Sequence, residues 1–219
     1  MKKTKSFLLI LLLVATQSSF AQKVFTEGTL QYKVAISGIS DPQAQAMMQN
    51  MAMKIYIKNG KFATEMNMGM GTTKTIMVSE NKYVTLMDMM GQKMKYTMDK
   101  KQFDDKKLSD DSYEVILTDD TKVIAGYTCK KAIIKTKDGK SFYAYFTTEI
   151  SRGDKSNYNG PYGKIDGVLM EYSIERKGNT MTMTCTNIDF TPVSDDVFLI
   201  PESGYTEITM DQIMKMGGM

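Results

Sequence analysis

The sequence has no histidine, no tryptophan, only two cysteines and only four prolines. Without histidine it lacks the commonest general base, the usual partner in a nucleophilic triad and the commonest transition-metal ligand. No Gly-x-Ser-x-Gly elbow, phosphate-binding loop or dinucleotide fingerprint makes up for this. Enzyme mechanisms are thinned sharply, and neither a catalytic residue nor a cofactor is expected. Two cysteines without histidine cannot complete a closed nitrogen and sulfur metal site, so no structural metal is expected and folding should not need one.

Apolar runs long enough to span a membrane, roughly 18 to 20 residues, are also missing. The apolar stretch from Phe7 to Ala15 follows Lys2, Lys3 and Lys5 and precedes a polar run ending in Ser19, Phe20 and Ala21. That order reads as a cleavable secretory signal over residues 1–21. The expected mature chain begins at Gln22, which is not cysteine, so a lipid anchor is not expected. A periplasmic, envelope or secreted location follows, and an integral membrane protein does not. Charge of one sign is scarce too: the net +3 comes from 28 basic and 25 acidic residues, and loss of the three signal lysines balances them. With no basic block, nucleic-acid binding is excluded as a class. Residues 22–219 suit one domain able to bury its own core, with a tail frayed after about residue 209.

Both cysteines, Cys129 and Cys185, fall in the mature part. An oxidising compartment makes a disulfide the natural expectation, worth about 4 kcal/mol in the chain-entropy model, with two buried free thiols as the alternative.

What remains reads as short strands separated by turn signals, which implies a mostly β protein built on an antiparallel sheet. The clearest unit is Lys54 to Met70. Asn59-Gly60 supplies the positive-φ pair of a two-residue hairpin and sets Ile57 opposite Phe62, Ile55 opposite Thr64 and Met53 opposite Met66. Lys54 then faces Glu65 on the other side. The dry face carries Ile55, Ile57, Phe62, Met66, Met68 and Met70; the wet face carries Lys54, Tyr56, Lys58, Lys61 and Glu65. Further strands are expected at 30–36, 72–79, 82–87, 94–98, 113–117, 122–136, 141–147, 167–176 and 180–190, with a polar connector from Lys100 to Asp111. Strands 72–79 and 82–87 are apolar on both faces, which burial on both sides would explain.

Asp41 to Met53 is the exception. Asp41 can cap, Pro42 suits the first helical position, and Ala44, Met47, Met48 and Met51 make a helical stripe that needs the sheet's dry face to lie on. Ser151 to Lys164 is expected to be a long surface loop; its Asn157, Asn159 and Gly160 match a calcium loop poorly, because the Asp ligands are missing. The pairs Asp104-Asp105, Asp110-Asp111, Asp119-Asp120 and Asp195-Asp196 read as solvated turns.

Methionine is abundant, at 21 residues. Three readings stand: a soft core; a cavity lining that re-packs around hydrophobic ligands; and Cu(I) binding by the thioethers of Met66, Met68 and Met70, whose alternating spacing the dry face already explains.

Three stretches, "KIYIKNGKFATEM" from Lys54, "KVIAGYTCKKAII" from Lys122 and "VFLIPESGY" from Val197, together resemble a family of exported bacterial proteins called domain of unknown function 4412. That family is similar to the LolA/LolB-like lipoprotein-carrier superfamily. The resemblance implies an open half-barrel, a curved antiparallel sheet under a helical lid, whose concave apolar side holds acyl chains. It brings no set of functional side chains. The ligand surface expected from the residues comprises Met47, Met48, Met51, Ile55, Ile57, Phe62, Met66, Met68 and Met70, with a lipid or other apolar molecule as partner. The alternative is a structural or interaction module of the envelope with a filled core that contacts another envelope protein.

Overall fold

The structure is a computed structural model that describes residues 23–99, 113–137, 139–152, 160–176 and 178–215. The expected signal, the whole polar connector, which includes the pairs Asp104-Asp105 and Asp110-Asp111, and Asn157 and Asn159 lie outside these residues.

The local signals at Asn59-Gly60 act as the sequence implies. Strands β3 (Ala52–Lys58) and β4 (Lys61–Asn67) are joined by a turn with φ 48° at Asn59 and 84° at Gly60. The register pairs Ile57 with Phe62, Ile55 with Thr64, Met53 with Met66 and Lys54 with Glu65. Before this hairpin run β1 (Lys23–Phe25) and β2 (Glu27–Ser37); after it come β5 (Gly71–Ser79), β6 (Lys82–Met89) and β7 (Gln92–Asp99). The second half supplies β8 (Tyr113–Ile124), β9 (Tyr127–Thr136), β10 (Ser141–Thr147), β11 (Ile150–Arg152), β12 (Val168–Arg176), β13 (Asn179–Asp189) and β14 (Thr206–Glu207). The strands expected at 113–117 and 122–136 are therefore β8 and β9, with a turn at Ala125-Gly126 inside the second. The signal was hidden because alanine occupies a position at φ 49°.

Twelve strands form one sheet in the order β14-β7-β6-β5-β4-β3-β2-β13-β12-β10-β9-β8, while β1 and β11 pair separately and in parallel. Since β14 runs parallel to β7, the large sheet is mixed rather than purely antiparallel, and it is not closed. It does curl. β8 has two extra residues between Leu117 and Thr121, and β12 one extra opposite Tyr145 and Phe146; such bulges bend and twist a strand. As a result Ile124, Tyr127 and Cys129, at the tip of the β8–β9 hairpin, join the apolar cluster of Leu30, Tyr32, Met183 and Cys185. In hydrogen-bonded order three strands separate β8 from β13. At the same tip, Lys122 Nζ donates to Glu171 Oε1 at 2.7 Å and stands 4.1 Å from the centroid of the Tyr145 ring.

The wet side of the hairpin is wet only in part. Ala63, Ile76, Val84 and Leu86 are buried on that side beneath Val197, Phe198, Ile200 and Tyr205, which explains why β5 and β6 are apolar on both faces. The covering segment, the "VFLIPESGY" stretch, is a strap tied down where Lys58 Nζ donates to the Val193 carbonyl at 2.7 Å. Another cover sits at the end of the expected loop at 151–164: the 3-10 turn Gly160–Lys164 buries Tyr162, whose hydroxyl donates to the Ser173 carbonyl.

Helix α1 (Pro42–Met48) begins as expected, with Asp41 Oδ1 accepting from Gln43 N at 2.9 Å, but it is shorter than 41–53. Pro42, Gln43, Gln45 and Ala46 are exposed and Met48 is half-buried, so its described side chains cover little of the sheet and a lid over the sheet is not seen in them. Where it is described, the tail carries a short helix. Thr209 Oγ1 accepts from Gln212 N at 3.3 Å and Gln212 Oε1 accepts from Thr209 N at 2.8 Å, a reciprocal cap on helix α2 (Met210–Lys215), in which Ile213 is buried.

Candidate functional site: a methionine-rich sheet face

Directly paired residues on neighbouring strands share a face, so the registers assemble a surface residue by residue. One row crosses β2 to β7 as Tyr32, Met53, Met66, Thr73, Met87 and Met94. The next row holds Leu30, Ile55, Thr64, Thr75, Thr85 and Tyr96. Ile57 and Phe62 continue below them, and across β5 to β7 the same face carries Met77, Tyr83 and Met98. The character of the face changes along the sheet. Over β2 and β3 it is packed core, with Tyr32, Met53 and Ile55 buried. Over β4 to β7 Met66, Thr73, Met77, Tyr83, Met87 and Met98 are half-buried, while Met94 and Tyr96 on β7 are buried. Thr85 is fully buried there, and its hydroxyl pairs with that of Thr75 at 3.0 Å, so the face carries no unsatisfied hydroxyl at that point.

The expected ligand residues divide accordingly. Met51 is buried and Met48 half-buried against the β2–β3 core, but Met51 lies in the segment leading into β3 rather than on the helix, its carbonyl accepting from Val34 N at 3.0 Å. Ile55 is in that core, and Ile57, Phe62 and Met66 pack against it. Met47 has no described side chain. Met68 and Met70 leave the strand face: β4 stops at Asn67, and the two lie in the following turn, 37% and 45% exposed. Met77, Tyr83 and Met87 belong to the face without having been singled out, because strands apolar on both sides hide which residues look which way; Met94 and Tyr96 alternate plainly with lysines but lie on a strand whose place in the sheet is not legible locally. Only the cross-strand register resolves them.

Both cysteines are free and buried in the structure, Cys129 donating to the Tyr127 carbonyl at 3.3 Å and Cys185 to the Asn187 carbonyl at 3.5 Å. Burial pushes Cys129 up to about 11 and Cys185 up to about 12, so as thiols both are unreactive at neutral pH. Among the described residues no three of histidine, cysteine, aspartate and glutamate gather in one place. Asp119-Asp120 and Asp195-Asp196 are exposed as expected, but the first pair sits in the bulge of β8 rather than in a turn and the second opens a 3-10 turn; Asp120 pairs with Lys131 at 3.1 Å and Asp195 with Lys61 at 2.8 Å. An open cleft of about 480 Å³ lies beside the end of the methionine row, lined by Met94 with Gly91, Lys93, Gly204, Thr206 and Ile208. No helix among the described residues is long and apolar enough to cross a membrane.

A curled, open β-sheet with an apolar, methionine-rich face defines a binding type of surface rather than a reaction centre. A family model described as "Domain of unknown function (DUF4412)" matches residues 38–154, more than half of the chain, and the protein belongs to that family. The match begins just after β2, runs through β11 and includes the whole of β3 to β7. No curated protein matches. Among solved structures, PNGF-II aligns at 14% identity and a TM-score of 0.44, over 86% of this chain and 33% of its own, so the chain spans about a third of that protein. MucB aligns at 10% identity and 0.36, over 80% of this chain and 57% of its own. LprF from Mycobacterium bovis aligns at 10% identity and 0.36, over 77% and 88%.

Proposed function

We propose that the protein is a non-enzymatic, exported envelope protein that holds a lipid or another apolar molecule against the face of β4 to β7. The observation that carries this reading is the half-buried row Met66, Thr73, Met87, which continues the packed row of Tyr32 and Met53 outward across the sheet. Flexible, polarisable thioethers can re-pack around ligands of different shape, and they stand on strands held rigid from behind by the strap over Ile76, Val84 and Leu86. The secretory-signal pattern and the family's similarity to lipoprotein carriers agree with a carrier working outside the cytoplasm. The absence of histidine agrees with binding without chemistry. A second reading, a structural module with a filled core, has its support in Met51, Met53 and Ile55, which are packed rather than open.

The two readings part in one experiment. Solvent extraction and native mass spectrometry of the purified protein should recover a co-purified apolar molecule. Met87→Ala should weaken saturable binding of an apolar dye while lowering stability by less than the roughly 2 to 5 kcal/mol of a packed methionine. Lys54→Glu, on the opposite face, should leave dye binding alone. No recovered molecule, no saturable dye site and a core-sized loss for Met87→Ala would leave the structural module.

A further inference from the structure

The alternating spacing of Met66, Met68 and Met70 would mean little if all three lined one strand, but the strand ends at Asn67 and the residues take separate places. Two small residues of β5, Gly71 and Thr73, lie at the centre. Thr73 is paired with Met66 on one side and Met87 on the other. Its Oγ1 donates to Met68 Sδ at 3.6 Å. Met89 is the partner of Gly71, and its Sδ stands 2.7 Å from where a Cβ on residue 71 would be. Four methionines therefore flank a glycine and a threonine, with the sulfurs of Met68 and Met89 directly over them. Direct partners have Cβ atoms about 4.5 to 5.5 Å apart and positions 71 and 73 are about 7 Å apart, within the sweep of a methionine side chain.

Met68 is 37% exposed, and Met66, Met87 and Met89 are half-buried, so the cluster is open to solvent. Beside it, Met90 N donates to the Met70 carbonyl at 3.3 Å, which brings two more exposed methionines together at the edge. The acid of this stretch, Asp88, alternates away from Met87 and Met89 and lies 4.0 Å from Lys93. A cluster of methionines without carboxylate or imidazole is the wrong chemistry for magnesium, calcium or zinc and the right one for a soft monovalent ion.

We propose that Met66, Met68, Met87 and Met89, around Gly71 and Thr73, form a binding site for Cu(I) or its analogue Ag(I). This is a function additional to the apolar-ligand reading and does not depend on it. Thioethers carry no proton to lose, so binding should be nearly independent of pH between about 5 and 8, unlike a thiolate or imidazole site.

The test is an anaerobic titration of the purified protein with Ag(I) and Cu(I) against a competing chelator, with X-ray absorption of the copper form. One ion per chain bound by thioether sulfur is expected. Loss of a supporting partner at a metal site costs roughly tenfold or more, so the double variant Met68→Leu/Met89→Leu, which nearly keeps volume, should bind about 100-fold more weakly. Dye binding by the parent protein, measured beside the ion titration, separates failure of this site from failure of the carrier reading. The variant Cys129→Ala/Cys185→Ala should bind the ion like the parent. Unchanged affinity in the methionine variant, or loss of binding in the cysteine variant, would overturn the proposal.

Discussion

Two glycines in neighbouring hairpins serve different physical needs. Gly60 has φ 84° and nothing within 4 Å of a notional Cβ, so only the left-handed backbone requires it. Gly71 is needed for space, since a Cβ there would strike the Asp88 carbonyl oxygen and come within 2.7 Å of Met89 Sδ. Gly60→Ala should therefore cost about 1 kcal/mol and leave the sheet face as it is. Gly71→Ala should cost more, because it pushes against β6 backbone, and should also displace Met89 from the cluster. Urea unfolding of the two variants, with methionine methyl spectra of each, checks both expectations; equal losses and unchanged Met89 signals would refute the assignment of roles.

Among the elements, the strap depends on a charge cluster. Asp195 accepts from Lys61 Nζ at 2.8 Å and from Lys58 Nζ at 3.1 Å, and these hydrogen bonds hold its carboxyl below the ordinary range. A carboxyl with a depressed folded-state pKa contributes stability above the unfolded value, about 3.9, and loses it as pH falls through the folded value. The strap should thus loosen only below about pH 4. Amide spectra of Val197 and Phe198 followed through acid titration should show this transition, and Asp195→Asn should lose the acid-dependent part while the apolar seat on Ile76 and Leu86 persists. A transition centred near neutral pH would contradict the account. The element read least well was the stretch from Asp41: its cap and proline were legible, its length was not, because the chain turns into β3 at Ala52 to meet β2.

For the whole molecule, the last segments close two exposed places at once. Val197, Phe198, Ile200 and Tyr205 cover the buried patch on β4 to β6, and Thr206 and Glu207 occupy the edge of β7. Truncation before Val193 should uncover an apolar patch and an unpaired strand edge together, giving strong non-saturable dye binding and self-association by light scattering. A truncated chain that stays monomeric and binds no additional dye would mean that the strap is dispensable.

By itself the sequence determined what neighbouring residues decide. Asn59-Gly60 sets the turn, the turn sets the register of Met53 with Met66, and Asp41 with Pro42 starts a helix, because each of these choices is made within a few bonds. The tertiary structure alone decided which apolar face is core, which is covered by the strap and which is left half-open. Ala63 is buried by residues near 197, and Thr73 is flanked by methionines from two strands and a turn. Those meetings depend on how the ladders align and how far the bulges in β8 and β12 roll the sheet. Burial is settled between segments distant along the chain, so alternation within one strand names the two faces without saying what will cover either.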